Sequence, residues 1–333
     1  MPRPKRTQYI VGVDLGGTNI VVGAMPEDGS AQLAVREEST HSERGAEAVV
    51  DKIVAMIAAV ISDVIRAQGA HPQDFLGVGV GAPGPLDRDN GIVIVAPNLG
   101  WKNFPLRDEI AHRIHLPATL DNDANCATVG EWWQGAAKGG RNVVGLTIGT
   151  GIGGGIILDG KLYHGSSDVA GEIGHTTIDQ AGRYCRCGNY GCLEAYASGP
   201  AIAQRAREAL ERDEISALHR MVGGDLDKLT AATVYNAAHD GDALALEVVR
   251  DTAKFLATGV ANLLNLINPD VVVIAGGVTK AGDHLFEPLR AEVKRRAFRP
   301  AVAACRIVPG SLPGTAGMVG AVATFKAQRL GEV

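Results

Sequence analysis

Residues 9–19 read Tyr9-Ile10-Val11-Gly12-Val13-Asp14-Leu15-Gly16-Gly17-Thr18-Asn19. Residues 9–13 form an apolar, β-rich run. Glycines follow, and residues 20–24 are apolar again before an Asp28-Gly29 turn. That order predicts strand, glycine turn, strand. The idea returns over 142–148, followed by GTGIGGG at 149–155, an apolar run at 156–158 and the turn Asp159-Gly160. A long helical pattern follows each hairpin. One covers 46–67, with Val49, Ile53, Ile57, Val60 and Val64 on one face, and the other covers 242–266. Two similar halves predict a duplicated α/β fold. Shorter helices are expected over 125–137, from Pro200 at a first helical position after Ser198, and over 315–328. Residues 271–275 predict a buried strand ending in Gly276-Gly277.

The chain has 333 residues, enough for two domains, and 46% hydrophobic with 21% charged residues is a soluble globular balance. A net charge of -5 argues against a general nucleic-acid binder. The basic cluster over 3–6 is read as a solvated, disordered tail. The longest apolar runs, 53–61 and 271–278, fall short of the roughly 18 residues a membrane span needs, so no membrane association is expected. With no signal peptide and an odd cysteine count, a reducing cytoplasm is the expected setting.

Residues 149–154 formally match G-x-G-x-x-G, the dinucleotide fingerprint, which requires a helix to open directly afterwards. Ile156, Ile157 and Leu158 instead run into an Asp-Gly turn, and no acid stands in a ribose position. The first loop lacks the Gly-Lys-Ser/Thr of a Walker A motif. What remains is two glycine-rich hairpin tips, Gly16-Gly17-Thr18 and one containing Thr150 and Gly151, whose N–H groups could face a polyphosphate. Tight turns without a ligand are the plainer alternative, but a two-residue hairpin needs no run such as GTGIGGG. Asp14, at the end of the first strand, is placed to hold Mg2+ directly or through water; a turn-forming Asp is the alternative.

Leu120-Asp121-Asn122-Asp123-Ala124-Asn125 leads a strand into a helix start, where α/β sheets present reactive groups. Phosphoryl transfer to a hydroxyl needs a base placed to take the proton, a contribution of roughly 10²- to 10⁴-fold. Asp123 is the candidate, with Asp121 an equal one on these residues alone. One of Asp121, Asn122 and Asp123 is expected to cap the helix.

Gly171 to Tyr196 reads GEIGHTTIDQAGRYCRCGNYGCLEAY and holds Cys185, Cys187 and Cys192, three of the chain's five cysteines, downstream of His175. Three thiols and one imidazole make a closed, tetrahedral zinc set, with no position left for water or substrate. The metal would then brace a loop that also carries Glu172 and Glu194, polar groups suited to a polyol. Buried reduced thiols are the alternative. Cys126 and Cys305 stand alone in apolar settings and read as core.

Together these residues resemble the ROK (repressor, ORF, kinase) family of sugar kinases and sugar-responsive repressors, in particular its ATP-dependent glucokinases. DLGGTN, VGAPGPLD from Val80, DNDAN, TIGTGIGGG, GEIGH and CRCGNYGCLE fall in the family's order. The resemblance implies an actin-like ATPase (ribonuclease H-like) fold, with two domains flanking a central cleft. The domains are expected over 1–121 plus 313–333, with the first phosphate loop, and over 122–312, with the second loop, the zinc loop and the sugar-binding residues. It implies ATP, Mg2+ and structural Zn2+ as cofactors and Asp123 as general base. It implies sugar contacts from Asn122, Asp123, Glu172, His175, Glu194, Gly84 and Asn98, with one ring nitrogen of His175 on zinc and the other on a hydroxyl. Cys185, Cys187 and Cys192 complete the metal shell. Asp14, Gly16, Gly17, Thr18, Thr150 and Gly151 would serve the phosphates, and Gly276, Gly277 and Gly314 the adenosine. A homodimer or homotetramer is implied. Kinases for N-acetylmannosamine, N-acetylglucosamine, fructose or allose share the pattern. A repressor of the family would carry an N-terminal helix-turn-helix, and only eight residues precede Tyr9, so a kinase is expected.

Overall fold

In the computed structural model, which describes residues 6–212 and 215–331, β1 (Tyr9–Leu15) and β2 (Asn19–Pro26) form the expected antiparallel hairpin. β3 (Leu33–Ser39) extends it on the β2 side, and β4 (Phe75–Ala82) runs parallel to β1 on the other. β5 (Leu86–Asp87), β6 (Ile92–Ala96) and β7 (Trp101–Phe104) make a small antiparallel sheet. β8 (Ala118–Asn122) then returns parallel to β4, giving the order β3-β2-β1-β4-β8. Arg3 and Lys5 of the basic cluster lie outside the described residues.

The second sheet repeats this plan. β9 (Val143–Ile148) and β10 (Ile152–Leu158) form a hairpin, β11 (Lys161–Leu162) flanks β10, and β12 (Val271–Gly276) and β13 (Arg306–Pro309) add parallel strands. Its order, β11-β10-β9-β12-β13, is the first sheet's order strand for strand. The duplication read from the two hairpins is therefore present in the pairing itself.

The chain divides into two compact units, one of Met1–Gly139, Leu162–Ala170 and Leu312–Val333, the other of Gly140–Lys161 and Gly171–Ser311. In the first unit α1 (Ala46–Gln68) buries Val49, Ile53, Ile57, Val60 and Val64, the face its period predicts. Each such side chain contributes roughly 1.5–3 kcal/mol relative to exposure. In the second unit the helix Ala243–Ile267, capped by Asp242, packs over Val144, Leu146, Val272 and Ile274. Cys126 is core as expected, whereas Cys305 is only half-buried, at the second core's edge.

Two expectations are corrected. A boundary at Asp121 would give residues 122–139 to the second domain, but α3 (Asp123–Trp133), which follows α2 (Leu106–Ile114), belongs to the first unit. It packs on the C-terminal helix Ala316–Leu330 at backbone distance: a Cβ on Gly320 would stand 1.6 Å from the Cys126 carbonyl oxygen. Nor is GTGIGGG a single loop. β10 begins at Ile152, so only Gly149-Thr150-Gly151 form the turn. Gly154 beyond it serves packing, since a Cβ there would meet Ile173 Cδ1 at 2.6 Å and the Gly171 carbonyl at 2.8 Å. Bare strand lets the GEIGH segment lie against β10.

Candidate active site

The parallel strands of the first unit end together. Asp14 of β1 pairs with Gly81 of β4, and Gly81 with Asp121 of β8, so acids gather at the strands' carboxyl ends, where α/β sheets bind ligands. Burial pushes the Asp14 carboxyl up to about 7, and the neighbouring Asp123 charge adds to the rise. Such a pair favours a cation between or beside its members. One carboxylate together with substrate phosphates is the usual protein share of a Mg2+ shell, and Asp14 fits that share.

The three residues at the end of β8 divide the work. Asn122 caps α3, its Oδ1 accepting from the N–H groups of Ala124 and Asn125 at 2.9 and 3.1 Å. Its amide NH2 is left to donate. Asp121, 1% exposed, is an anchor. It accepts from the Asn122 N–H at 2.9 Å, Asn125 Nδ2 at 3.2 Å and Gln328 Nε2 at 3.3 Å, and pairs with His164 Nε2 at 3.0 Å and Arg88 Nε at 3.2 Å. Arg88 also reaches Asp168 at 3.3 Å. With its oxygens so occupied, Asp121 holds the loop in place. Asp123 stands half-buried at the helix start, its Oδ1 also accepting from the Ala124 N–H at 2.8 Å. Arg88 and His164 were not singled out from sequence, because neither sits in a motif and both lie far along the chain from Asp121.

The first glycine turn is open: Gly17 and Thr18 are exposed, and the Gly16 N–H is bonded to the Asn19 carbonyl at 2.9 Å. Asn98, in the short turn Pro97–Leu99, lies against Gly17. Gly84 sits between β4 and β5 with φ 91°, and Gly314 comes just before the C-terminal helix.

In the second unit His175 Nδ1 and the sulfurs of Cys185, Cys187 and Cys192 all lie within 4.8 Å of one another. Cys187 and Cys192 Sγ are 3.7 Å apart, and Cys185 Sγ is 3.8 Å from His175 Nδ1. A tetrahedron with Zn–S bonds of about 2.3 Å has S···S edges of about 3.8 Å. The donor set thus fits zinc in spacing and softness, and as a closed structural site. Burial pushes Cys192 up to about 12 and raises Cys185, whereas a hydrogen bond from the Asn189 backbone lowers Cys187. A bound cation would reverse the first two. His175 Nε2 faces the other way, 3.9 Å from Glu172 Oε2. The loop has a second anchor: Arg183 and Glu208 form two parallel bonds of 2.9 and 2.5 Å, and the Tyr196 hydroxyl, accepting from the Arg183 N–H, donates to Asp179 at 2.8 Å.

Thr150 and Gly277 lie on the wall of an apolar cavity of about 470 Å³, completed by Ile202, Leu229, Tyr235 and Val278. Gly276 pairs with Ile148, which brings the end of β12 beside the Gly149 turn. Gly314 belongs to the first unit, so the unit that holds Gly276 and Gly277 does not contain it. The apolar lining was missed because its residues sit on separate helices and read as ordinary core.

A duplicated five-stranded sheet with acids at one set of strand ends and glycine turns at both hairpins is the actin-like ATPase architecture. The ROK family model matches residues 10–328, and the chain belongs to the ROK family. It is 39% identical over 321 residues to a glucokinase of Halalkalibacterium halodurans, covering 94% of this chain and 93% of that one. A glucokinase of Thermotoga maritima is 38% identical over 332 residues, 99% of this chain and all of the relative. The crystal structure of a ROK family glucokinase from Streptomyces griseus, in complex with glucose and AMPPNP, superposes with a TM-score of 0.81 at 34% identity, over 95% of this chain and 98% of that one.

Proposed function

We propose that the protein is an ATP-dependent glucokinase, transferring the terminal phosphoryl group of ATP to the 6-hydroxyl of glucose. The observation that carries this reading is the division of acids at the end of β8. Asp121 is committed to holding the loop, Asn122 to capping, and Asp123 lies at the helix start within electrostatic reach of Asp14. End-to-end likeness to glucokinases supports the sugar and the donor.

In this reading Asp123 takes the proton of the 6-hydroxyl as the new O–P bond forms. Asn122 donates its amide NH2 to the sugar, and Glu172, Glu194 and His175 Nε2 bind ring hydroxyls, with Gly84 and Asn98 as further contacts. Asp14 holds Mg2+, which when bound supplies charge neutralisation at the phosphates. Gly17 and Thr18, in a turn closed by the Gly16 N–H on the Asn19 carbonyl, and Thr150 and Gly151 offer backbone N–H groups to those phosphates, and the apolar cavity beside Gly277 suits an adenosine. His175, Cys185, Cys187 and Cys192 would hold zinc, which would fix the orientation of the imidazole. The family resemblance extends to a homodimer or homotetramer in a reducing cytoplasm. Among the described residues no helix is long and apolar enough to cross a membrane.

A panel of hexoses and acetamido sugars, assayed with ATP and Mg2+ and separately with inorganic polyphosphate, tests the reading. Glucose with ATP is expected to give the highest kcat/KM. A higher value for another sugar, or for polyphosphate, would refute that assignment.

A further inference from the structure

Residues 194–199 grip the second glycine turn at both ends. Glu194 Oε2 accepts the Ile152 N–H at 2.8 Å, and the Gly199 N–H donates to the Gly149 carbonyl at 2.8 Å. The other oxygen of the same carboxylate, Oε1, lies 3.9 Å from Cys185 Sγ in the metal cluster. Glu194 therefore stands between the metal-braced loop and the turn that we assign to phosphate. Thr150 of that turn lines two cavities: the apolar one beside Gly277, and another of about 440 Å³ whose wall includes Glu194, Arg183 and Gln204. The approach is tight. A Cβ on Gly151 would meet Glu194 Oε2 at 2.6 Å and Cδ at 3.5 Å, with no other group within 4 Å.

We propose that Glu194 couples the two substrates, a role that rests on its assignment above as a sugar contact. A hydroxyl bound to Oε1 fixes the carboxylate, and the fixed carboxylate holds the Ile152 N–H and with it the Gly149-Thr150-Gly151 turn in one geometry. Sugar and nucleotide then each tighten the other's binding by the same factor, as linkage requires. The ordering cost of the turn is met once, by whichever ligand arrives first. A consequence specific to this arrangement is that a residue of the nucleotide turn governs sugar affinity.

Titration calorimetry of glucose, with and without saturating AMPPNP and Mg2+, reads the coupling directly. The parent protein is expected to bind glucose roughly 5- to 150-fold tighter with the nucleotide present, the ordinary range of such couplings. Gly151→Ala, whose added methyl meets only Glu194, is expected to weaken glucose binding measured without any nucleotide and to cut the coupling to less than about twofold. Glu194→Gln is expected to weaken glucose and to reduce the coupling. Absence of coupling in the parent protein overturns the proposal. Unchanged glucose affinity and coupling in Gly151→Ala, with glucose weakened in Glu194→Gln, overturns the coupling and leaves the sugar assignment standing. Unchanged glucose affinity in Glu194→Gln removes the sugar assignment itself. Should Gly151→Ala not fold, undiminished coupling in Glu194→Gln refutes the proposal.

Discussion

β1 and β9 hold the same place in two sheets of the same strand order, and each has one position just before its last residue that is only partly buried while the rest of the strand is buried. In β1 that position is Asp14, and in β9 it is Thr147. The two parallel strands beyond each differ in the same sense: of β4 and β8, β8 runs into Asp121-Asn122-Asp123, whereas of β12 and β13, β12 ends in Gly276 and runs on to Gly277 beside an apolar cavity and β13 ends in Pro309. One frame was used twice, once to place charge and once to place bare backbone and apolar surface. The frame is set by hairpin and crossover packing, and the chemistry by what stands at the strand ends.

Replacing Asp14 by Thr, the residue at the matching position of β9, breaks the contrast most severely. It is expected to lower kcat/KM for ATP at least ~10²-fold, because the carboxylate assigned to Mg2+ is lost. Steady-state kinetics over a Mg2+ series would show it, and a loss under threefold would deny Asp14 that role. A smaller effect is expected from Cys187→Ser, which opens the metal set of the second unit. It should bind substoichiometric zinc by elemental analysis and raise the glucose KM about tenfold with a lesser change in kcat, since such anchors typically contribute 10- to 100-fold. Full zinc occupancy in the variant would count against the ligand set.

The smallest effect concerns scaffold rather than site. Burial opposes ionisation of Asp242, but hydrogen bonds from the Ala245 and Ala217 N–H groups and the Ser216 hydroxyl outweigh it and hold the carboxyl below its usual range. A depressed folded-state pKa gives stability that is complete above the unfolded value and is lost as pH falls through the folded one. Asp242→Ala is therefore expected to cost about 1 kcal/mol at neutral pH. The gap to the parent in denaturant midpoints should close in acid; a gap constant with pH would show that the charge is not involved.

Much of this contrast was legible in the chain. Val49, Ile53, Ile57, Val60 and Val64 recur at helical spacing, both hairpins end in glycine, and the cysteines cluster within one loop, so element type and metal set follow from local pattern. The unit boundary was not legible, because α3 is drawn to the first unit by backbone packing on a helix nearly two hundred residues later in the chain, as in the close approach of Gly320 to the Cys126 carbonyl. The division between Asp121 and Asp123 was hidden for a related reason. The partners that commit Asp121, namely Arg88, His164 and Gln328, are ordinary surface residue types when read alone. Gly154 and Gly155 read as loop because nothing local reveals the segment around Gly171 and Ile173 packed across them.

That division is open to a direct test. Asp123→Asn keeps the shape of the loop and removes the base, so calorimetry should find glucose bound nearly as in the parent while kcat falls at least ~10²-fold. Turnover within a few-fold of the parent, with glucose still bound, would contradict the assignment of Asp123 as the base.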